Sequence, residues 1–171
     1  EVSHHLGKLN YYRRFEGFGK WTLQYDFQKN RRFEYDIRVG DDADKASLDL
    51  DLTTHSVLTN IKFDAKQGLD FKVGALGRFQ TNFANPDTGV RRLIPDYDKF
   101  DFGLYSIGSY ELDTDWTLDA GLRYDFSRID SKKFYRTSRW EERGYDVDFA
   151  DIILEDFGTQ LLTNPVSDYH N

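Results

Sequence analysis

The sequence contains no cysteine, and this absence excludes disulfide bonds, thiolate metal sites and cysteine nucleophiles. It also contains no run of about 18 apolar residues, which excludes a transmembrane helix. An excess of basic residues is missing too, because 23 Lys and Arg stand against 30 Asp and Glu and give a formal net charge of −7. We therefore expect no nucleic-acid partner, since a phosphate-binding surface needs positive charge.

The mean hydropathy of −0.71 and the 31% of charged residues are typical of a soluble protein. They do not exclude a β-barrel that spans a membrane. A barrel strand meets lipid with only every second side chain, so an average over neighbouring residues hides the apolar half. The class of the protein must therefore be read from the pattern of residues.

A strict alternation of apolar and polar side chains over residues 20–28 is the clearest pattern in the chain. A period of two indicates a β-strand with one apolar and one polar face. Residues 116–126 repeat the pattern. The apolar positions predicted to face lipid are Trp21, Leu23, Tyr25, Phe27, Trp116, Leu118 and Leu122. The charged positions predicted to line a water-filled lumen are Lys20, Asp26, Arg78, Asp119, Arg123 and Asp125.

Six strands are predicted from this alternation, at about residues 4–14, 19–36, 46–64, 69–83, 99–112 and 116–128. The third strand changes phase along its length. Leu48, Leu50 and Leu52 have even numbers, whereas Ile61 and Phe63 carry the later apolar face on odd numbers. One extra residue in a strand has this effect, so the sequence predicts a β-bulge near residues 53–56.

The connections between these strands alternate in length. They are short at residues 15–19, 65–68 and 113–115, and long at residues 37–45, 84–98 and about 129–170. An antiparallel outer-membrane barrel has tight periplasmic turns and long extracellular loops. Aromatic residues near the short turns, namely Trp21, Phe63, Phe71, Tyr110 and Trp116, suit the girdle at a membrane interface. A soluble sandwich or lipocalin-like barrel also has one apolar and one polar face and stays an alternative.

Six strands are too few for a closed membrane barrel, which begins at eight. An open sheet edge in lipid would leave backbone N–H and C=O groups without hydrogen-bond partners. We therefore expect residues 1–171 to be a consecutive part of one larger all-β, antiparallel transmembrane barrel.

The long segment after the sixth strand is the candidate ligand-binding region. It is rich in aromatic and arginine residues, which are the side chains that most often anchor binding surfaces. We predict that it captures an extracellular small molecule through Arg136, Arg139, Trp140, Arg143 and Tyr145. The alternative is that these aromatic residues only pack the loop onto its neighbours.

Enzyme and metal motifs are weak in this sequence. His55 stands beside Ser56, but no Gly-x-Ser-x-Gly motif is present and a triad is recognised by geometry rather than by adjacency. The acidic segment with Asp41, Asp42 and Asp44 lacks the spacing of an EF-hand. We expect no catalytic residues, no resident metal and no cofactor.

The sequence also resembles a known family. Residues 3–15 (SHHLGKLNYYRRF) and 25–36 (YDFQKNRRFEYD) are similar to the mid-barrel hairpin of TonB-dependent outer-membrane receptors, and residues 121–125 (GLRYD) and 160–165 (QLLTNP) to other segments of that family. The resemblance is greatest to the siderophore and iron-complex branch. It implies a 22-stranded barrel in the outer membrane of a Gram-negative bacterium, with a plug domain that lies outside this sequence. It also implies nutrient import energised by the TonB system.

Overall fold

The computed structural model describes residues 1–37, 44–66, 68–85, 88, 94–148, 150–156, 158, 160–164 and 166–170. Six long strands come first along the chain: β1 (Val2–Phe15), β2 (Gly19–Glu34), β3 (Leu48–Phe63), β4 (Leu69–Ala84), β5 (Asp96–Glu111) and β6 (Thr117–Arg136). Two short helices, a 3₁₀ turn and three short strands follow: α1 (Thr137–Glu142), α2 (Tyr145–Asp148), Ala150–Ile152, β7 (Ile153–Asp156), β8 (Gln160–Thr163) and β9 (Val166–His170).

The six long strands form an antiparallel meander in which each strand pairs with the next one in the chain. The three short connections therefore lie at one end of the sheet, and the long connections lie at the other end. We call these the short-turn end and the long-loop end. The predicted all-β, antiparallel architecture is confirmed. No helix in the described part of the chain is long and apolar enough to cross a bilayer.

The predicted bulge in β3 is wrong. The register of β3 against both β2 and β4 is unbroken, from Glu34 opposite Leu48 to Gly19 opposite Phe63. The change of phase has another cause. Near the long-loop end, the apolar residues of β3 lie on the opposite face of the sheet from those near the short-turn end. Leu50 turns to the opposite face, where it lies across from Ala84 and both are buried.

The segment after β6 also differs from the predicted loop of about residues 129–170. β6 continues to Arg136, and its residues up to Lys132 pair with β5. Alternation alone missed this extension because the sequence from residue 130 on is mostly polar on both faces. Strand pairing in water does not need an apolar face, since the backbone hydrogen bonds are the same.

β8 and β9 pair with β6 in one common register. Thr163 at the end of β8 lies opposite Lys133, and Val166 at the start of β9 lies opposite Asp130. Two residues lie between the paired positions on β6, and two residues lie between β8 and β9, so the register against β6 does not shift. The long connection therefore spans residues 137–159. The chain after it pairs with β6 again, first from Arg136 to Lys133 and then from Asp130 to Phe126.

The sheet forms a single layer with little core. Among the described residues only Leu50, Ala84, Trp140 and Leu161 are buried apolar side chains. Large apolar residues in the middle of the strands stay exposed, for example Leu122 at 76% and Leu118 at 58%. A soluble sandwich would bury one face under a second sheet, and the described part of the chain supplies no such layer.

A disulfide test follows from the shared register of β8 and β9. Lys133→Cys with Thr163→Cys and Ile129→Cys with Ser167→Cys place thiols at directly opposite positions, within the Cα separation that a disulfide accepts. Both pairs should oxidise fully in the folded protein, as measured by mass spectrometry. The chain has no other cysteine.

The matched control is Ser127→Cys with Ser167→Cys, which is two residues out of register and should stay reduced. Oxidation of the Lys133 pair without the Ile129 pair would show that β9 does not continue β8.

Candidate functional site

One face of the sheet carries most of the apolar side chains of the six long strands, and we call it the apolar face. Directly opposite pairs connect it from strand to strand. Trp21 lies across from Ile61, Ile61 from Val73, Val73 from Ser106 and Ser106 from Leu122. The seven residues predicted to face lipid therefore belong to one surface, except that Trp116 lies in the turn one residue before β6.

Toward the long-loop end, the apolar face gives way to polar and charged residues. Phe27 and Phe79 belong to its last apolar row. One step further along the same face, Lys29 lies opposite Thr53 and its Nζ is 3.0 Å from Asp51 Oδ2. The apolar surface is thus a band, and each long strand extends beyond it into a polar zone.

Aromatic rings collect at the short-turn end of the apolar face. The Phe18 ring packs edge-on against Phe63 at 5.2 Å, and Phe63 stacks on Phe71 at 5.8 Å. Nearby, Trp21 donates from Nε1 to Thr59 Oγ1 at 2.8 Å and contacts the Tyr11 ring at 5.6 Å. Rings with one apolar side and one polar handle are suited to an interface between lipid and water.

The opposite face, which we call the polar face, holds an ion-pair network centred on Asp101. Arg78 NH2 lies 2.7 Å from Asp101 Oδ2, and Lys99 Nζ lies 3.2 Å from Asp101 Oδ1. Ser127 donates its hydroxyl to the same oxygen at 2.6 Å. The sequence analysis found Arg78 but missed Asp101 and Lys99, although both occupy polar positions in the alternation of β5.

The other predicted lumen residues lie on the same face. Arg123 holds Asp125 with two bonds, from Nε at 2.6 Å and from NH2 at 2.8 Å. Asp26 accepts a hydrogen bond of 2.6 Å from Gln24. Lys20 lies 5.0 Å from the centre of the Tyr12 ring, and Asp119 is exposed opposite Ser109. The polar face therefore carries acidic and basic side chains that pair with each other in the middle of the sheet.

Two glycines let polar side chains lie flat on this face. A Cβ at Gly74 would be 2.4 Å from the Tyr105 ring, and one at Gly103 would be 2.7 Å from Asp125 Oδ1. Both approaches are closer than real Cβ atoms tolerate. Because Gly74 and Gly103 have no Cβ, the Tyr105 ring and the Asp125 carboxylate can lie close to the backbone of the sheet.

At the long-loop end, a cluster around Asp49 joins β2, β3 and the connection after β4. Asp49 Oδ2 accepts from Arg31 NH2 at 3.2 Å and from Asn85 Nδ2 at 2.9 Å. These residues lie beyond the apolar band. Burial raises the pKa of Asp49 while the bonds from Arg31 and Asn85 lower it, and the net shift is downward. The ionised carboxylate therefore fastens the start of the connection after β4 to the sheet.

The predicted ligand residues gather around the helices of the 137–159 connection. The Trp140 side chain is buried, at 2% exposure, and its ring meets Tyr145 edge-on at 5.3 Å. Arg143 lies over the Tyr145 ring at 5.9 Å, and exposed Arg139 pairs with Glu142 at 2.9 Å. Arg136 ends β6 opposite Gln160. The structure thus gives Trp140 a packing role and presents the cations of Arg139 and Arg143 to solvent.

The weak enzyme and metal motifs gain no support from the geometry. His55 Nδ1 is hydrogen-bonded to the Tyr25 hydroxyl at 2.8 Å on the apolar face, whereas Ser56 occupies the other face by alternation. No group of three acidic or histidine side chains that could hold a metal occurs among the described residues. Asp41 and Asp42 lie outside the described residues.

Comparison with protein-family models decides the family. The model for the TonB dependent receptor-like β-barrel matches residues 2–153. The chain belongs to the TonB-dependent receptor family. Such receptors are transporters of the Gram-negative outer membrane, and the family implies a plug domain and an interaction with TonB in the parent protein. No match was found among curated proteins or among solved structures.

A prediction concerns the glycine beneath Tyr105. Gly74→Ala should destabilise the folded receptor by ~1–3 kcal/mol, because the added methyl group overlaps the ring and Tyr105 must move. Unfolding of the receptor in detergent with urea would measure the change. Gly77→Ala is the matched control on the same strand, since a Cβ there meets nothing within 4 Å.

The same substitution in a Tyr105→Ala background should cost much less, because the overlapping ring is gone. An equal cost in both backgrounds would show that Gly74 is required for a reason other than the position of Tyr105.

Proposed function

We propose that this chain forms part of the barrel wall of a TonB-dependent transporter that imports a scarce extracellular nutrient, an iron–siderophore or similar complex. Its apolar face meets outer-membrane lipid, and its polar face lines the lumen beside the plug domain. Energy reaches the receptor from TonB through the parent protein. The long connection at residues 137–159 helps to capture the ligand outside the cell.

The observation that carries this proposal is the uncovered apolar band. Leu9, Leu104 and Leu122 are all more than 45% exposed on it, and burying such side chains is worth about 1.5–3 kcal/mol each. A stable protein does not leave a band of this kind in water. Lipid is the medium that satisfies it, because the band is bounded by aromatic rings at one end and by ion pairs at the other.

The two sheet edges support a larger barrel. Within the described chain β1 pairs only with β2, and residues 117–125 of β6 pair only with β5. Each unpaired backbone group in a bilayer costs several kcal/mol. Further strands of the parent protein would remove both edges, and β8 and β9 already cover part of β6.

Ligand capture rests on the position and charge of the 137–159 connection. It lies at the long-loop end, which is extracellular in outer-membrane barrels. Its helices are held by Trp140 packing and by a bond from Thr137 Oγ1 to Gly158 O of 2.8 Å. Exposed Arg139 and Arg143 then offer planar donors to carboxylate or other oxyanion groups, which favours an anionic ligand.

A substitution pair tests the two faces. Leu23→Arg should cost ~2–4 kcal/mol of folding free energy in a bilayer, because the charge would enter the hydrocarbon region near its middle. Gln24→Arg is the matched control on the next residue, which faces the polar side, and it should cost far less. Folding of the receptor into lipid vesicles with urea titration measures both.

Small and equal effects of the two arginines would contradict the assignment of the apolar face to lipid. A large cost for Gln24→Arg alone would mean that the two faces had been exchanged.

Replacement of the 137–159 connection tests ligand capture. Arg136 and Gln160 lie directly opposite each other, so a short glycine-serine link can replace residues 137–159 and keep the pairing of β6 with β8. Surface levels of the complete receptor should stay normal, while ligand binding and uptake should fall at least tenfold, as measured with radiolabelled iron complex.

A finer variant keeps the connection intact. Arg139→Ala with Arg143→Ala should weaken ligand binding, whereas Glu141→Gln in the same helix should not. Normal uptake by the receptor in which a glycine-serine link replaces residues 137–159 would show that this connection has no role in ligand capture.

A further inference from the structure

Arg13 places a positive charge on the apolar face, two residues before β1 ends at the short-turn end. It lies directly opposite Trp21, so both side chains project from this face. The Arg13 guanidinium carbon lies 5.1 Å from the centre of the Phe15 ring. In the described part of the chain Arg13 has neither a carboxylate partner nor a hydrogen-bond acceptor, whereas Lys29 and Arg31 on the same side each pair with an aspartate. Its N–H donors are therefore available to an outside ligand.

An apolar groove lies beside Arg13 at the same end of the sheet. It has a volume of about 370 Å³ and is lined by Phe15, Phe18, Trp21 and Ile61. The Phe15 ring is common to both features, because it contacts the Arg13 guanidinium and also forms a wall of the groove. Phe18 packs edge-on against Phe15 at 6.4 Å. The cation and the apolar groove thus form one continuous surface.

A second groove extends the first one along the sheet. Its volume is about 540 Å³, and Ile61, Val73, Leu104 and Leu122 are among the residues that line it. Ile61 lines both grooves, so an apolar chain that enters beside Arg13 can continue from one groove into the other. A long apolar chain with an anionic group at one end therefore matches this surface in both shape and charge.

The position of Arg13 along its strand supports the same kind of ligand. This step rests on the proposed function, in which the apolar face meets outer-membrane lipid. The short-turn end is then the periplasmic end, and Arg13 lies where lipid headgroups meet the hydrocarbon region. A charge on the lipid-facing side is costly in the middle of a bilayer but is tolerated near its surface. There a guanidinium can bind a phosphate with its planar donors.

We propose that Arg13 and the two grooves bind one anionic phospholipid of the periplasmic leaflet. The guanidinium donates N–H bonds to the headgroup phosphate, and one acyl chain lies between Phe15, Phe18 and Trp21 and continues past Ile61. A phosphatidylglycerol fits better than a phosphatidylethanolamine, because the amine of the latter already compensates its own phosphate. The site holds a lipid of one charge class against the wall of the receptor.

Lipid retention by the complete receptor in detergent tests this site. Native mass spectrometry with added phosphatidylglycerol should show a single bound lipid, in preference to phosphatidylethanolamine with the same acyl chains. Arg13→Gln should weaken this binding about tenfold, because hydrogen bonds to a charged phosphate are lost. Lys8→Gln is the matched control, since it removes one positive charge from the polar face of the same strand and should leave the binding unchanged.

Further variants separate the acyl chain from the headgroup. Phe18→Ala removes a wall of the groove and should weaken the binding of both lipids alike, whereas Tyr12→Ala on the polar face should not. Arg13→Lys should keep part of the preference for phosphatidylglycerol, because it keeps the charge without the planar donors. Inorganic phosphate should not compete with the lipid. Competition would indicate an anion site without a place for the acyl chain and would overturn the proposal.

Equal retention of the two lipids, or unchanged selective binding in Arg13→Gln, would also overturn it. So would a receptor dimer that Arg13→Gln disrupts, since this surface would then meet a second copy. These outcomes are separable from failure of the proposed function. If Leu23→Arg and Gln24→Arg differ as expected, then the apolar face meets lipid, and absent lipid selectivity counts against the Arg13 site alone.

Discussion

The unbroken antiparallel register of the six long strands is the constraint on which the rest of the structure depends. Side chains alternate between faces with a period of two, so a slip of one residue would move every apolar side chain of a strand to the polar face. From Trp21 on β2 to Leu122 on β6 no slip occurs. The two faces can therefore meet two different media along the whole sheet.

Much of this fold could be predicted from the sequence, because alternation is a local property. The bounds of β2 and β4 and the strict alternation of connection lengths follow from it. The β3 bulge was wrong for an instructive reason. The position of Leu50 shows which face of the sheet is apolar near the long-loop end. The register of β3 itself is unbroken. A change in the apolar–polar alternation can therefore mark a change in the environment of the strand as well as an extra residue in its backbone.

The site was less predictable, because its parts come together only through register. Arg78 and Asp101 are opposite each other on β4 and β5, and nothing in either local sequence indicates the pairing. The pairing of β8 and β9 with β6 was missed for a similar reason, since each of the two strands is only four or five residues long. Its register becomes visible only when β6 is present beside it.

The charges of the polar face are distributed unequally along the strands. In the middle, Asp101 and Asp125 are each held by an arginine of the same sheet, so their negative charge is compensated within the chain. At the short-turn end Lys20 and Lys72 keep unpaired charge among the described residues. The polar face therefore differs in its electrostatic character between the middle of the sheet, where the acidic groups are paired, and the short-turn end, where two amines lie over aromatic rings instead.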